Sequence, residues 1–327
     1  EEALAVLRAD EMERAYVVKW LMGFVKRSDA WIGGAGEEAG AAVEEEESRM
    51  DLVDRATTLL ARFAGDDEPE EAVTRTFTFP FLVDDASSPN EPIKAELNDA
   101  PLTGVDHTAV GLQSWGTAVV FSARLCAEPL RYFPITSTSA SVSQPFSRPA
   151  RVLELGAGTG LLSIVAAQIL QRLGAPAEVL ATDYHADVLA NLSANVASNR
   201  LDNLVCVTAL DWVSPPPAEE MGMFDVVLAA DVVYEREHAR LIRDVVHRAM
   251  RKDGVMWLAM PLRETGRHEG MERSVREVFP GIAELEGEGF KGREDELVIV
   301  ERVDMQRREG VGRADEDGYK LFEIRFA

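Results

Sequence analysis

The sequence predicts an α/β fold: a mostly parallel sheet with helices on both faces, closed at one edge by an antiparallel hairpin. Three observations carry this. Between residues 151 and 260, short and nearly unbroken apolar segments alternate with helical patterns; strands buried on both faces read this way. A glycine-rich stretch, Glu154-Leu155-Gly156-Ala157-Gly158-Thr159-Gly160, joins the first such strand to its helix. The last two strand patterns, residues 297–305 and 319–326, have no helix between them, which calls for an antiparallel pair at a sheet edge.

Taken in order, residues 151–155 read as a buried strand and 161–173 as an apolar helix. Residues 178–182, 204–209, 224–230 and 254–260 read as the next four strands, with helices over 186–198 and 238–250. Upstream, residues 114–127 form an apolar helical pattern opened by Trp115-Gly116. Residues 134–149 are rich in Ser, Thr and Pro without periodicity, and are expected to be a surface insertion. The domain of alternating strands and helices is placed at 106–327 and an N-terminal accessory region of helices and strands at 1–105. In that region, residues 4–26 have helical spacing that puts Trp20, Leu21 and Phe24 on one face. Residues 33–50, glycine-rich and then acidic through Glu44–Glu47, read as a flexible acidic linker. Residues 50–63 look helical again, and 74–83 alternate like a strand that pairs with 93–97.

Composition narrows the function classes. Of 327 residues, 46% are hydrophobic, enough for a sizeable core. No apolar run is long enough to cross a bilayer, so no membrane span is expected. The chain opens at Glu1 and not at Met, so this says nothing about a leader. Cys126 and Cys206 lack paired spacing and read as small core residues in a reducing, cytoplasmic compartment. The five histidines show no ligand pattern, so no metal is expected. A net charge of -23 argues against direct nucleic-acid binding, since phosphates are repelled. It suits a basic partner or cationic substrate, or else only keeps the protein soluble.

The glycine-rich stretch is the first candidate site. Its glycines let the backbone turn sharply and let a ligand approach the main chain, and the following helix offers free N–H groups. The pattern is G-x-G-x-G; Leu161 stands where a dinucleotide site needs its last glycine. Asp183 ends the second strand, where a carboxylate can accept both hydroxyls of a ribose; a helix N-cap is the competing role. Asp211-Trp212 follows the third strand. The carboxylate can accept from an exocyclic amine such as adenine's and the indole can wall the ring, unless Asp211 only makes a turn ahead of the prolines. Asp231 and Tyr234 follow the fourth strand; an isolated carboxylate after so apolar a run is a site candidate, with helix capping as the alternative. Trp115 can face a cationic sulfonium or simply sit in the core.

Together, Gly111-Leu112-Gln113-Ser114-Trp115-Gly116, VLELGAGTGL, ATDYHADVLANLSANVASN, LDW and AADVVYE resemble methyltransferase family 16, the seven-strand protein-lysine methyltransferases. The resemblance covers residues 112–326, about two-thirds of the chain. Within it, Ala259-Met260-Pro261-Leu262-Arg263 and the terminal hairpin are most similar to fungal enzymes that methylate translation elongation factors. The resemblance implies a Rossmann-like class I sheet and S-adenosylmethionine contacts at Trp115, Gly156, Ala157, Gly158, Asp183, Trp212 and Ala230. The residue reading adds Glu154, Gly160 and Asp211. The resemblance also implies that the acidic-x-x-aromatic motif, Asp231 to Tyr234, lies beside the acceptor nitrogen. The expected partner is a protein substrate met by a monomer, possible elongation factors included. A small-molecule N-methyltransferase and an inactive cofactor-binding scaffold remain the alternatives; intact Gly156, Gly158, Gly160, Asp183 and Asp231 count against the scaffold.

Overall fold

The computed structural model describes residues 11–28, 31, 41–64, 72–82, 91–100, 107–133, 148–263, 270–282, 295–307, 311 and 316–327. They belong to two compact units, Glu1–Glu71 and Ala72–Ala327. Helices α1 (Glu11–Val25) and α2 (Ala41–Ala64) make up the first. Leu21 and Ala56 are its buried centre, with Val17, Val18, Phe24, Val25, Leu59 and Leu60 around them. Trp20 does not share that inward face and is 57% exposed. Neighbouring positions point in different directions, whereas i and i+4 meet, and Trp20 stacks on Phe24 at a centroid distance of 5.8 Å. The linker expected at 33–50 is corrected in its second half: Glu44–Glu47 lie within α2. Glutamate is a good helix former and here runs directly into the periodic segment. Residues 33–40 lie outside the described residues.

The second unit begins with β1 (Val73–Phe79) and β2 (Ile93–Asp99), a 3-10 turn at His107–Leu112, then α3 (Gly116–Ala127) and α4 (Pro129–Tyr132). The alternating core follows: β3 (Ala150–Leu155), α5 (Leu161–Arg172), β4 (Ala177–Asp183), α6 (Ala186–Ser198), β5 (Val205–Ala209), α7 (Ala218–Met221), β6 (Phe224–Ala230), α8 (Arg236–Ala249) and β7 (Met250–Leu262). It closes with α9 (Met271–Val278), β8 (Leu297–Met305) and β9 (Gly318–Phe326). Of the expected insertion at 134–149, residues 134–147 lie outside the described residues.

The seven-stranded sheet runs β5-β4-β3-β6-β7-β9-β8. β3 through β7 pair in parallel. β9 joins β7 antiparallel, and β8 joins β9 the same way, so the terminal hairpin forms the edge as expected. Both faces are covered. Val226 and Leu228 of β6 enter a core shared with α3 and α5, while Val227 and Ala229 enter one shared with α8 and α9. Cys206 corrects the expectation of a core residue: it is exposed, because β5 is an edge strand. Cys126 is buried. Among the described residues no helix is long and apolar enough to cross a membrane.

The β1–β2 hairpin belongs with the sheet unit, so the division falls at residue 71 and not at 105. A two-stranded hairpin cannot bury its own apolar face. Here Ile93, Ala95 and Leu97 are fully buried in the core that also holds α3 and α5. The outer edge of β2 is satisfied by side chains from two helices. Gln168 donates to the Lys94 carbonyl at 2.7 Å. Asn199 accepts from Glu96 N–H at 3.0 Å and donates to the Glu96 carbonyl at 2.6 Å. Asn195 accepts from Asn98 N–H at 2.8 Å, and Asn191 donates to the Asn98 carbonyl at 2.9 Å. Asn191 and Asn195 of α6 and its C-cap residue Asn199 stand four apart along one side, and do for β2 what a third strand would do.

Candidate active site

The chain order places a crevice at the middle of the sheet. From β3 the chain moves outward through β4 and β5, then returns to β6 on the other side of β3. Ligands of open α/β sheets bind outside the carboxyl ends of the strands at such a reversal. The glycine-rich turn leaves β3 there. Gly156 and Gly158 have φ of 63° and 55°. A methyl group added at Gly158 would lie 3.1 Å from the Gly111 carbonyl oxygen. One added at Gly156 would lie 2.7 Å from Val232 Cγ1 and 3.5 Å from Trp212 Cζ2. Left-handed backbone and close approach both demand glycine. The turn is tied internally: Ala157 N–H donates to the Thr182 carbonyl and Gly160 N–H to the Ala157 carbonyl, each at 2.8 Å.

Gly160 is the N-cap of α5 and has no side chain to cap with. Glu154 does this instead. It is 3% exposed, and its carboxyl accepts from Ser163 N–H at 2.8 Å and from the Ser163 hydroxyl. Burial pushes the carboxyl up from 4.5 to about 8, opposed by the two Ser163 bonds. Glu154 was expected among the cofactor contacts; its carboxyl meets the first turn of α5 and holds the glycine turn from within the core.

Asp183 stands at the end of β4, half-buried. Its Oδ1 accepts from Tyr184 N–H at 2.8 Å and His185 N–H at 3.2 Å, and its Oδ2 from Gly158 N–H at 3.2 Å. It therefore bridges two neighbouring strand ends. The cap of α6 falls to His185, whose Nδ1 accepts from Asp187 N–H at 3.2 Å, so capping is not Asp183's role. Asp211 is exposed, and its Oδ1 accepts from Val213 N–H at 2.8 Å. That is a local turn, and it leaves the second carboxylate oxygen outside the turn. Trp212 is half-buried beside Gly156. Trp115 is the N-cap residue of α3, half-buried, with its indole N–H donating to the Val110 carbonyl at 2.9 Å.

The other side of the crevice is built at the end of β6. Ala230 is half-buried and pairs with Ala259. Asp231 follows with φ of 55° and is 4% exposed. Its N–H still donates to the Ala259 carbonyl at 3.0 Å. A non-glycine residue in the left-handed region costs about 1–3 kcal/mol and is held only where its surroundings demand it. Tyr319 of β9 is a neighbour: burial pushes its hydroxyl up, the Glu316 hydrogen bond and charge add to this, and the Asp231 charge contributes further. Tyr319 donates to Glu316 at 2.9 Å, and Glu316 pairs with Arg263 at 3.4 Å, both side chains being almost fully buried. Tyr234 is half-buried, and its N–H donates to His238 Nδ1 at 3.3 Å.

His238 went unnoticed in the sequence, where only metal spacing among histidines was sought. Its ring meets Tyr234 edge-on at 6.0 Å and Trp212 edge-on at 6.1 Å. It thus touches an aromatic from each side of the crevice. Its position four residues after Tyr234 was the available signal. The asparagines of α6 were also passed over, although Asn195 donates to the Thr159 carbonyl inside the glycine turn at 3.0 Å. Their four-residue spacing was visible.

Comparison with known proteins points to one family. A family model described as lysine methyltransferase matches residues 103–275. The chain is 30% identical over 160 residues to protein-lysine N-methyltransferase EFM2 of Saccharomyces cerevisiae, covering 47% of this chain and 38% of that protein. It is 26% identical over 263 residues to protein-lysine N-methyltransferase rrg1 of Schizosaccharomyces pombe, covering 77% of this chain and 72% of that one. With protein N-lysine methyltransferase METTL21A of Xenopus tropicalis it shares 34% over 123 residues, covering 37% and 54%. The chain therefore spans less than two thirds of the first and last of these relatives.

Proposed function

We propose that this chain, which belongs to the lysine methyltransferase family, uses S-adenosylmethionine to methylate a lysine side chain of another protein. The residues present fit the cofactor. Side chains at Gly156 and Gly158 would fill the cradle beside Trp212 and Gly111, and Asp183 offers an anionic acceptor next to that cradle. When bound, S-adenosylmethionine supplies an electrophilic methyl group. Asp183 would accept the ribose hydroxyls, and the Gly156–Gly158 backbone would line the remainder of the cofactor, with Ala157 and Gly160 shaping the turn. Trp212 would wall the adenine and Asp211 would accept from its amine. Trp115 and Ala230 would stand beside the sulfonium.

Asp231 is the observation that carries the acceptor assignment: a buried carboxylate on left-handed backbone at the carboxyl end of β6. A free lysine, with a pKa of about 10.4, must lose its proton before attack. A carboxylate favours the ammonium and so opposes that loss. Asp231 therefore captures and aims the lysine, while Tyr234 walls the channel. Aligning nucleophile and methyl group is where the protein accelerates the step.

The protein acceptor is supported by the protein-lysine methyltransferases among the relatives and by the net charge of -23, which suits a basic partner. A translation elongation factor is the acceptor proposed, on the sequence resemblance to the fungal enzymes; a monomer in the cytoplasm would meet it there. The test incubates the protein with radiolabelled S-adenosylmethionine and cell lysate, then with purified elongation factors. A labelled lysine on an elongation factor is expected. Efficient turnover of a small amine, with no labelled protein, would overturn the protein acceptor.

A further inference from the structure

The β1–β2 hairpin ends on Asp99, which is 6% exposed. Its Oδ1 accepts from Ser114 N–H at 3.0 Å and from the Ser114 hydroxyl at 2.7 Å. Its Oδ2 pairs with Arg75 Nε of β1 at 2.9 Å. The Ser114 hydroxyl oxygen lies 3.1 Å from Thr159 Oγ1 in the glycine turn, and Thr159 is 4% exposed. Next to Asp99, Ala100 N–H donates to the Leu112 carbonyl at 3.0 Å. The segment held in this way is the one whose Gly111 carbonyl would meet a methyl group at Gly158 at 3.1 Å, and Trp115 follows Ser114 directly.

We propose that Asp99 is a positioning residue for the cofactor turn, acting through Ser114 on Thr159 and on the start of Trp115. Arg75 fixes the carboxylate, and the carboxylate fixes the backbone and hydroxyl of Ser114. One side of the glycine turn is then held by Ser114 and the other by Asn195, whose amide donates to the Thr159 carbonyl at 3.0 Å. Preformed turn donors need no reordering when ligand arrives, which is where preorganisation gains affinity. The hairpin is thereby part of the cofactor site and not an accessory. This inference rests on the cofactor reading above.

The test measures S-adenosylmethionine and S-adenosylhomocysteine binding by calorimetry, together with melting temperature, for the parent, Asp99→Ala, Asp99→Asn, Ser114→Ala and Arg75→Ala. Asp99→Ala should weaken both ligands by about tenfold or more, since it strands two donors of Ser114. Asp99→Asn keeps an acceptor oxygen for Ser114 and should recover most of the affinity. Arg75→Ala removes the ion pair that fixes the carboxylate but leaves both Ser114 bonds to it, and should weaken binding less than Asp99→Ala does. Ser114→Ala keeps its N–H bond but loses the hydroxyl link, and should fall between. A folded Asp99→Ala that binds both ligands like the parent would overturn the proposal, as would equal losses in Asp99→Asn and Asp99→Ala. If Asp99→Ala does not fold, parent-like binding by Ser114→Ala overturns it instead. A parent that binds neither ligand would sink the cofactor reading itself, a result distinct from either.

Discussion

At the β4 end of the crevice, Asp183 is half-buried and already accepts from three backbone N–H groups. At the β6 end, Asp231 is 4% exposed and sits on a left-handed backbone. The first carboxylate is placed by its own neighbours in sequence and by a glycine one strand away. The second is surrounded by groups from far along the chain, Tyr319 of β9 among them. The contrast separates two ways of building a site. The β4 end relies on turn geometry set by short stretches of sequence and braced at Thr159 by Ser114 and Asn195. The β6 end relies on packing that holds one residue in a conformation it does not prefer.

The largest effect is expected at Asp231. Asn tolerates the left-handed region and matches the shape of Asp, so Asp231→Asn isolates the charge better than Ala does. Single-turnover methylation should fall about a hundredfold, because a misaimed nucleophile loses about that much, while calorimetric affinity for S-adenosylmethionine stays near the parent value. Joint loss of both would move Asp231 into the cofactor pocket and erase the contrast. Asp183→Ala should do the reverse. Losing even one charged hydrogen bond of about 1.5–3 kcal/mol weakens cofactor binding roughly ten- to a hundredfold. Unchanged affinity in a folded variant would remove Asp183 from the site.

The third effect concerns the support beneath the turn, and it appears in stability and not in turnover. Burial raises Glu154 from 4.5 to about 8. Between those values the folded chain holds a proton there that the unfolded chain has released. Stability should therefore decrease as pH rises through that window, by at most about 1.4 kcal/mol per pH unit for one proton. Glu154→Gln keeps an acceptor for Ser163 and removes this contribution. Denaturant unfolding of both proteins from pH 5 to 8 measures it; identical slopes would mean that Glu154 is ionised in the folded state.

The alternating core was legible because its signals are local. Continuous apolar strands such as residues 224–230 and the spacing of 186–198 state their own conformation, and β6 and α6 have those bounds. The antiparallel terminal hairpin followed from the missing helix between its strands. The contact between Asp183 and the glycine turn could be anticipated because both stand at the carboxyl ends of neighbouring parallel strands. Glu154 borders the motif and so was noticed, but its burial against Ser163 depends on how α5 closes over the turn and was not legible there. The limits of β7 were also out of reach, since its pairing with β9 runs as far as Leu262.

What the sequence determined by itself was the order of strands and helices, the turn that a cofactor would lie against, and the two carboxylates after β4 and β6. Hydrophobic period and glycine placement act over a few residues, so they can be read without the fold. Only the tertiary structure decided that β1–β2 belongs to the sheet unit, that two asparagines of α6 and its C-cap residue Asn199 satisfy its edge, and that Asp99 reaches Ser114 and Thr159. It alone also gave Asp231 its left-handed backbone. Those outcomes depend on apolar faces and unpaired backbone groups that must be satisfied by whatever the packed chain brings alongside, and a linear pattern does not say which partner that is.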